Sequence, residues 1–209
     1  MKRSVEVAAV AVLALLVSVS VIAQAPKGWM VRADRSTSAS DPDAAGAIKF
    51  VTMGTGFHAT NPQAAVYWNP ANKMNGTYTL KGTFTLMKPS GHTNYYGLVF
   101  GGSDLEGAKQ AYTYFLVAQD GSWLVKKRDG EVASDVLPKK VDAAVKKPGA
   151  DGKSTNALEV RVGADKIDYV VNGTVVGSSP KSAAKTDGVY GIRVNHLLEV
   201  HIDGLSATK

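Results

Sequence analysis

The feature that most limits the fold of this chain is a glycine turn signal that recurs between short apolar segments. Asn-Gly or Asp-Gly pairs begin at Asn75, Asp120, Asp129, Asp151, Asn172, Asp187 and Asp203. Such pairs favour turns that need a positive φ, above all two-residue β-hairpin loops. No long segment has helical spacing, and only residues 104–111 and 141–147 are compatible with a short helix. The sequence therefore predicts an all-β fold.

A first hairpin is predicted around Asp120-Gly121. A two-residue loop there pairs Ala118 with Trp123 and Leu116 with Val125. Since successive side chains of a strand point to opposite faces, one face is predicted to be core: Tyr112, Tyr114, Leu116, Ala118, Trp123 and Val125. The opposite face is predicted to be only partly covered: Thr113, Phe115, Val117, Gln119, Ser122, Leu124, Lys126 and Arg128.

A second hairpin is predicted between residues 157–162 and 167–171, with a four-residue loop. This register sets Arg161 opposite Asp168 as a cross-strand ion pair. It also creates one apolar face: Leu158, Val160, Val162, Ile167, Tyr169 and Val171. Many short strands with tight turns predict a sandwich or barrel, and the lack of a repeat of fixed period argues against a propeller.

The N-terminus has the pattern of a secretory signal. Lys2 and Arg3 precede an almost uninterrupted apolar run over residues 7–22, and Ala23-Gln24-Ala25 resembles a small-residue cleavage site. Cleavage is predicted after Ala23, with Ala25 as the alternative, because a proline directly follows Ala25 and constrains that bond. A retained anchor is the other interpretation, but the apolar run is shorter than the roughly 20 residues that span a bilayer.

The domain organisation follows from these boundaries. Residues 1–23 are predicted to be a signal helix, 24–47 a leader or loop, and 48–209 a single β-sandwich domain. With 44% hydrophobic and 20% charged residues, the composition is that of a globular protein. The absence of cysteine excludes thiolate chemistry and disulfides, and in an exported chain it favours a bacterial, secreted or periplasmic setting.

The C-terminal half carries a resemblance to a known superfamily. Its segments are Asn-Ala-Leu-Glu-Val-Arg-Val at 156–162, Ile-Asp-Tyr-Val-Val-Asn-Gly-Thr-Val-Val at 167–176, Gly-Val-Tyr-Gly-Ile-Arg-Val at 188–194 and Leu-Glu-Val-His-Ile-Asp-Gly-Leu at 198–205. They resemble concanavalin A-like (laminin-G-like) jelly rolls. Within that superfamily, the chain is most similar to bacterial secreted domains grouped as 3-keto-disaccharide hydrolases.

The resemblance covers about residues 48–207. It implies two antiparallel sheets, one of them concave and commonly in contact with carbohydrate. Two motifs of the superfamily are missing: the glucanase strand motif Glu-x-Asp-x-x-Glu, whose carboxylates act as nucleophile and acid, and the legume-lectin calcium and manganese loop. Their absence weakens any transfer of those two functions.

The candidate ligand-binding residues are Phe115, Lys126 and Arg128, on the partly covered face of the first hairpin, and Asp104, in a glycine-rich loop. An aromatic ring beside two cations suits a hydroxyl-rich or anionic sugar, and arginine adds directional donors. The alternative interpretation is a solvated strand surface, since charged residues at alternating positions usually face water.

The candidate acid-base groups are His58, His92, Glu199, His201 and Asp203. Histidines titrate near neutrality, and the last three alternate along the C-terminal strand and so share one face. That face suits proton transfer, or a calcium site that uses Asp203. The alternatives are structural or exposed histidines and a polar outer face, and no other cofactor is indicated.

The leading hypothesis is an exported, non-catalytic β-sandwich that binds carbohydrate or envelope glycan. The alternatives are a glycoside-active enzyme of the 3-keto-disaccharide hydrolase type and an adhesive envelope protein. Nucleic acid is not expected as a partner of an exported chain, and no membrane span is expected after signal removal. The sequence carries no signal for an oligomeric state.

Overall fold

The computed structural model describes residues 25–36 and 38–209, so the predicted signal helix at 1–23 lies outside the described residues. The strands, in chain order, are β1 Met30–Asp34, β2 Lys49–Met53, β3 Gly56–Asn61, β4 Ala64–Met74, β5 Tyr78–Lys88, β6 Tyr95–Ser103, β7 Ala111–Ala118, β8 Ser122–Asp129, β9 Val132–Val141, β10 Ser154–Val162, β11 Lys166–Val171, β12 Thr174–Pro180, β13 Gly188–Val194 and β14 Leu198–Thr208. Within the described part of the chain, the single helix is a 3-10 turn at Lys181–Ala183. The all-β prediction is confirmed, whereas residues 104–111 and 141–147 form turns and strand ends instead of helices.

The strands form two antiparallel sheets of seven strands each. Sheet A has the order β1-β4-β13-β6-β7-β8-β9, and sheet B has the order β12-β11-β10-β5-β14-β3-β2. Many neighbours within each sheet are distant in sequence, as in a jelly roll. All seven glycines of the Asn-Gly and Asp-Gly pairs have a positive φ. No helix among the described residues is long and apolar enough to cross a bilayer.

The register of the first hairpin differs by one residue from the prediction. Val117 pairs with Trp123, and Phe115 pairs with Val125. The loop therefore has three residues, 119–121, of which Gly121 has a φ of 84° and donates its N–H to the Ala118 carbonyl over 3.1 Å. This arrangement matches the three-residue hairpin that ends in a left-handed glycine. The prediction was wrong because an Asp-Gly pair is typical of a two-residue loop, whereas here its glycine ends a three-residue loop.

The shifted register reverses the inferred faces of β7. Phe115 is fully buried in the core between the sheets, where its ring lies 6.2 Å from that of Trp123. Tyr112 and Tyr114, which were predicted to point into this core, belong instead to a separate apolar cluster on the other face of sheet A. The prediction that Trp123 and Val125 are core residues is confirmed.

The second hairpin is confirmed in register, because Arg161 pairs with Asp168 across β10 and β11. Its six predicted apolar side chains are all buried in the core between the sheets. The ion pairs, however, run along each strand: Arg161 contacts Glu159 at 2.8 Å, and Lys166 contacts Asp168 at 3.1 Å. Residues two apart on one strand share a face, so each of these two charges has a partner on its own strand as well as across the hairpin.

The predicted leader is partly structured. Residues 30–34 of that segment form β1, the edge strand of sheet A, which pairs with β4 from Met30–Trp68 to Asp34–Ala64. The sandwich therefore begins before residue 48, and the boundary predicted there is wrong. Alternation along β1 brings Arg32 and Asp34 to the same face of sheet A.

The side chain of Asn172 holds its turn in place through three hydrogen bonds, so its removal is expected to lower the stability of the fold. Its φ is 49°, its Nδ2 donates to the Ala144 carbonyl and to Asn156 Oδ1 (both 2.8 Å), and its Oδ1 accepts from the Ala157 N–H at 2.9 Å. Asn172→Ala removes these three hydrogen bonds. It also leaves alanine in the left-handed region of backbone conformation, which asparagine adopts more readily than alanine. We expect it to lower the free energy of unfolding by about 2–3 kcal/mol.

The matched control is Asn75→Ala, since Asn75 also precedes a turn glycine but is exposed. We expect that change to stay within about 0.5 kcal/mol. Urea denaturation of both variants measures the difference, and equal midpoints would show that the Asn172 bonds do not stabilise the fold.

Candidate functional site

The face of sheet A that points away from sheet B is here called the outer face. Aromatic and aliphatic side chains cover its surface and form the floor of the site. Its apolar cluster is separate from the core between the sheets and contains Val66, Trp68, Val99, Leu105, Tyr112, Tyr114, Leu116 and Leu124. Arg193 lies over the Tyr114 ring, with its guanidinium carbon 5.5 Å from the ring centroid. A cation at this distance from an aromatic face is held by the ring quadrupole.

A carboxylate surrounded by arginines lies at one side of this floor. Asp34, only 8% exposed, forms ion pairs with Arg193, with Arg128 at 3.4 Å and with Arg32 at 3.9 Å. The hydroxyl of Tyr112 accepts from Arg193 Nη1 at 3.0 Å and donates to Asp34 Oδ2 at 3.4 Å. The residues come from β1, β7, β8 and β13, so the network joins four strands of sheet A.

The charges of this network are strongly coupled. Burial raises the pKa of Asp34, but Arg193, Arg128 and Arg32 outweigh burial and hold that pKa below its usual value. Burial also raises the pKa of Tyr112 to about 12, so its hydroxyl keeps its proton at neutral pH. The network therefore contains three guanidinium groups, which are hydrogen-bond donors, held in place by one ionised carboxylate.

The loop between β6 and β7 supports the arginines from the side. Arg32 Nη1 donates to the Gly107 carbonyl at 2.6 Å. With its amide oxygen turned toward the guanidinium groups, Gln110 accepts from Arg128 Nε at 3.2 Å and from Arg32 Nη2 at 2.8 Å. Asp104 opens this loop with a φ of 48°, and its carboxylate accepts from the backbone of Lys109 at 3.1 Å. Asp104 therefore holds the loop that positions Arg32.

A cavity of about 320 Å³ opens next to the network. Its polar walls contain Asp34, Arg35, Ser36, Ser38, Asp41, Asp43, Asn94, Arg128, Arg193, Asn195 and His196. The volume is within the range of small-molecule sites, and carboxylate, amide and guanidinium groups supply paired donors and acceptors. Arg193 Nε donates to Asn195 Oδ1 at 3.2 Å, which fixes the orientation of one wall.

Two histidines and two aspartates meet at the rim of this cavity. Asp41 Oδ1 lies 2.9 Å from His92 Nε2 and 3.2 Å from His196 Nε2, and the two ring nitrogens are 3.2 Å apart. His196 Nδ1 lies 3.1 Å from Asp43 Oδ1. His92 precedes β6 and His196 follows β13, and these strands are neighbours in sheet A. Only His92 was among the residues predicted from sequence.

The predicted ligand-binding residues divide between the two faces of sheet A. Lys126 and Arg128 lie on the outer face, and Lys126 forms an ion pair with Asp135 at 3.2 Å. Phe115 lies on the other side of the sheet, buried in the core and inaccessible to a ligand. The expected combination of Phe115 with these two cations is therefore wrong. Because of the one-residue register shift, the aromatic residues opposite these cations are Tyr112, which pairs with Arg128, and Tyr114, which pairs with Lys126.

The other predicted acid-base residues lie on sheet B. His58 pairs with His201 across β3 and β14, their ring centroids are 6.3 Å apart, and His201 Nε2 lies 3.0 Å from Asp203 Oδ2. Desolvation lowers the pKa of His58, against the opposing effect of Glu199. Glu199 lines a separate cavity of about 450 Å³ at the edge of the sandwich. His92 does not join this group.

Asp203, the residue predicted for calcium, does not belong to a ligand cluster. Among the described residues, one group of three His, Asp or Glu side chains has ligand atoms within 4.8 Å of one another, and it consists of Asp41, His92 and His196. Asp203 instead contacts His201 and accepts from Thr55 Oγ1 at 3.4 Å. The calcium site at Asp203 stays a prediction.

The structure is similar to several solved carbohydrate-related proteins. It matches a carbohydrate-binding module, CBM66, of Bacillus subtilis with a TM-score of 0.61 and 11% identity over 87% of this chain and 96% of the module. It matches a β-glucanase of Bacillus licheniformis with a TM-score of 0.56 and 10% identity over 89% and 94% of the two chains. Sheep galectin-11 in complex with glycerol gives a TM-score of 0.51 and 12% identity over 75% and 100%.

These similarities show that the chain has the fold of the concanavalin A-like jelly-roll sandwiches. No protein-family model matches the chain, and no curated protein sequence matches it. At 10–12% identity, the shared feature is the fold and not the chemistry of a site. The narrower resemblance to 3-keto-disaccharide hydrolases stays a prediction.

Proposed function

We propose that this protein is an exported, non-catalytic carbohydrate-binding protein whose ligand lies on the outer face of sheet A. The observation that carries the proposal is the 320 Å³ cavity walled by Asp34, Arg128, Arg193 and Asn195. Support for a glycan as the ligand comes from the fold, which the chain shares with a carbohydrate-binding module and a galectin.

The chemistry of this wall suits sugar hydroxyls. A hydroxyl both donates and accepts, so adjacent hydroxyls are recognised by planar groups that offer both functions in fixed positions. Arginine and asparagine supply such groups here, and the ion pairs of Asp34 hold Arg128 and Arg193 in place before a ligand binds. A site whose side chains are already fixed loses less conformational entropy on binding.

Support for a non-catalytic role comes from where the acid-base candidates lie. Glycoside hydrolysis needs a proton donor and a second carboxylate about 5–10 Å apart on either side of one bond. Asp34, at the base of the cavity, has a lowered pKa and cannot act as the proton donor near neutral pH. Of the five candidates predicted from sequence, His58, Glu199, His201 and Asp203 lie on sheet B, and only His92 lies at the rim of this cavity, in contact with Asp41.

The proposal is tested by retention on a glycan array, followed by calorimetry on the best ligand. Arg128→Lys keeps the charge but loses the planar set of donors, so we expect it to weaken binding about 10- to 100-fold. We expect Asn195→Ala, which removes one wall group, to weaken it about 10-fold. The matched control is Arg161→Lys on sheet B, which we expect to leave the affinity unchanged.

Two results would overturn the proposal. One is that no glycan on the array is retained. The other is that Arg161→Lys and Arg128→Lys weaken binding equally. The enzymatic alternative is tested on the same samples, since cleavage of the bound glycan during incubation would contradict a non-catalytic role.

A further inference from the structure

The cluster at the cavity rim brings together side chains with no local relationship in the sequence. Asp41 belongs to the loop after β1, His92 to the loop before β6, and His196 to the turn between β13 and β14. Asp41 Oδ1 and the Nε2 atoms of both histidines point at one another over 2.9–3.2 Å. Two imidazoles and one carboxylate are a common ligand set of zinc and other first-row transition metals.

The spacing of these three atoms matches the coordination sphere of a small divalent ion. In a tetrahedral site with bonds of about 2.0–2.1 Å, neighbouring ligand atoms are roughly 3.3 Å apart. The three atoms here are 2.9, 3.2 and 3.2 Å apart. An ion can therefore contact all three with little rearrangement of the loops.

The surroundings of His196 orient it as a ligand. Its side chain is 7% exposed, and its Nδ1 donates to Asp43 Oδ1 over 3.1 Å. The second oxygen of Asp43 accepts from the backbone of Ser36 at 2.8 Å, so the carboxylate is itself held in place. A carboxylate on Nδ1 fixes the tautomer in which Nε2 carries the lone pair, as in carboxylate–histidine–zinc sites.

That tautomer leaves the centre of the cluster rich in acceptors. The His196 Nε2 lone pair points at the Asp41 oxygen, which is also an acceptor. His92 Nε2 also lies 3.0 Å from the Asn94 amide nitrogen, a donor that a metal ion would displace from the lone pair of this ring. Acceptor atoms this close together need a positive charge or a donor between them. A bound cation supplies it, and so does a proton on each imidazole ring; only in the first case does the chain bind a metal ion.

We propose that Asp41, His92 and His196 bind a divalent transition-metal ion, for which zinc is the best match, and that Asp43 positions His196. The site goes beyond glycan binding and does not depend on it. Asp41 and His196 both line the 320 Å³ cavity. Three protein ligands leave a fourth position of a tetrahedral ion open for water or for an oxygen of a ligand.

The test uses the purified chain, stripped with a chelator and titrated with Zn²⁺ alone, by calorimetry and by competition with a chromogenic chelator. We expect one Zn²⁺ per chain. His92→Ala/His196→Ala is expected to lower the zinc affinity at least about 100-fold, and Asp43→Asn about 10- to 100-fold. Substitution with Co²⁺ is expected to give the intense visible absorption of a four-coordinate site.

The matched control is His58→Ala/His201→Ala, which removes the other facing histidine pair from sheet B. It deletes the same number of imidazoles and is expected to leave the stoichiometry unchanged and the affinity within about 3-fold. If His196→Ala fails to fold, the single variant His92→Ala decides, since the His92 side chain is 44% exposed. That variant is expected to weaken binding at least about 10-fold.

The proposal fails if the stripped chain takes up no stoichiometric Zn²⁺, which would mean that protons satisfy the cluster. It also fails if the two double variants lose affinity equally. Neither outcome bears on glycan retention, which is measured without added metal.

Discussion

Replacing Phe115 with alanine is expected to lower the free energy of unfolding by about 3–5 kcal/mol. Phe115 is fully buried, and its ring lies 6.2 Å from Trp123 and 5.3 Å from Tyr169 on the opposite sheet. The variant loses the burial of a whole ring and leaves a cavity between the sheets that rigid strands cannot close. The loss is measured by chemical denaturation at neutral pH.

The control for this prediction is Lys126→Ala on the outer face of the same sheet. Lys126 forms a half-exposed ion pair with Asp135, and such pairs contribute at most about 1 kcal/mol. If Phe115→Ala were as stable as the wild type but defective in glycan binding, Phe115 would lie on the ligand surface, as the two-residue turn predicted.

Replacing Asp34 with asparagine is expected to lower the free energy of unfolding by about 3–5 kcal/mol at neutral pH, since it removes one partner of a buried ion pair. Arg193 and Arg128 keep their charges, and their side chains are only 12% and 16% exposed. The amide has nearly the shape of the carboxylate but lacks its charge. The same variant is expected to weaken glycan binding, because both arginines lose their anchor.

The effect of Asp34→Asn depends on pH in a defined direction. Burial opposes ionisation of Asp34, but the arginines lower its pKa below the unfolded value of about 3.9. A lowered folded-state pKa contributes stability that is fully present above the unfolded pKa and is lost as pH falls through the folded pKa. The difference between wild type and variant should therefore shrink below about pH 4.

Denaturation curves at pH 7 and at about pH 3 measure this difference. The control is Asp168→Asn, since the pKa of Asp168 is also lowered, mainly by its hydrogen bond from Ser178 and its ion pair with Lys166. Its side chain is more exposed than that of Asp34, and we expect a loss within about 1 kcal/mol. A loss as small for Asp34→Asn would show that the arginine network is not coupled to folding.

Much of the architecture follows from local rules in the sequence. Turn glycines and strand alternation predicted a sandwich or barrel, and the resemblance to concanavalin A-like jelly rolls predicted the two-sheet sandwich. Alternation also predicted the register of the β10–β11 hairpin at Arg161 and Asp168. The β7–β8 register was predicted wrongly because Asp120-Gly121 is compatible with both a two-residue and a three-residue loop. A change of one residue moves every side chain of one strand to the other face, which is why Phe115 was assigned to the ligand surface.

The site itself was only partly predictable, because long-range pairing assembles it. His92 and His196 are 104 positions apart, and they meet because Tyr96 pairs with Val194 when β6 lies beside β13. Asp34 was assigned to a leader because residues 33–47 are rich in Ser, Ala, Asp and Gly and lack strand periodicity. Its position under Arg193 and Arg128 depends on β1 pairing with β4, for which no local turn signal exists.

The most direct test of the outer-face account is an NMR titration of the isotope-labelled chain with the glycan that the array selects. We predict that the largest amide shift changes fall around Asp34, Asn94, Arg128 and residues 193–196, which surround the cavity of sheet A. Shift changes concentrated instead on the sheet B strands that carry His58 and His201 would contradict it.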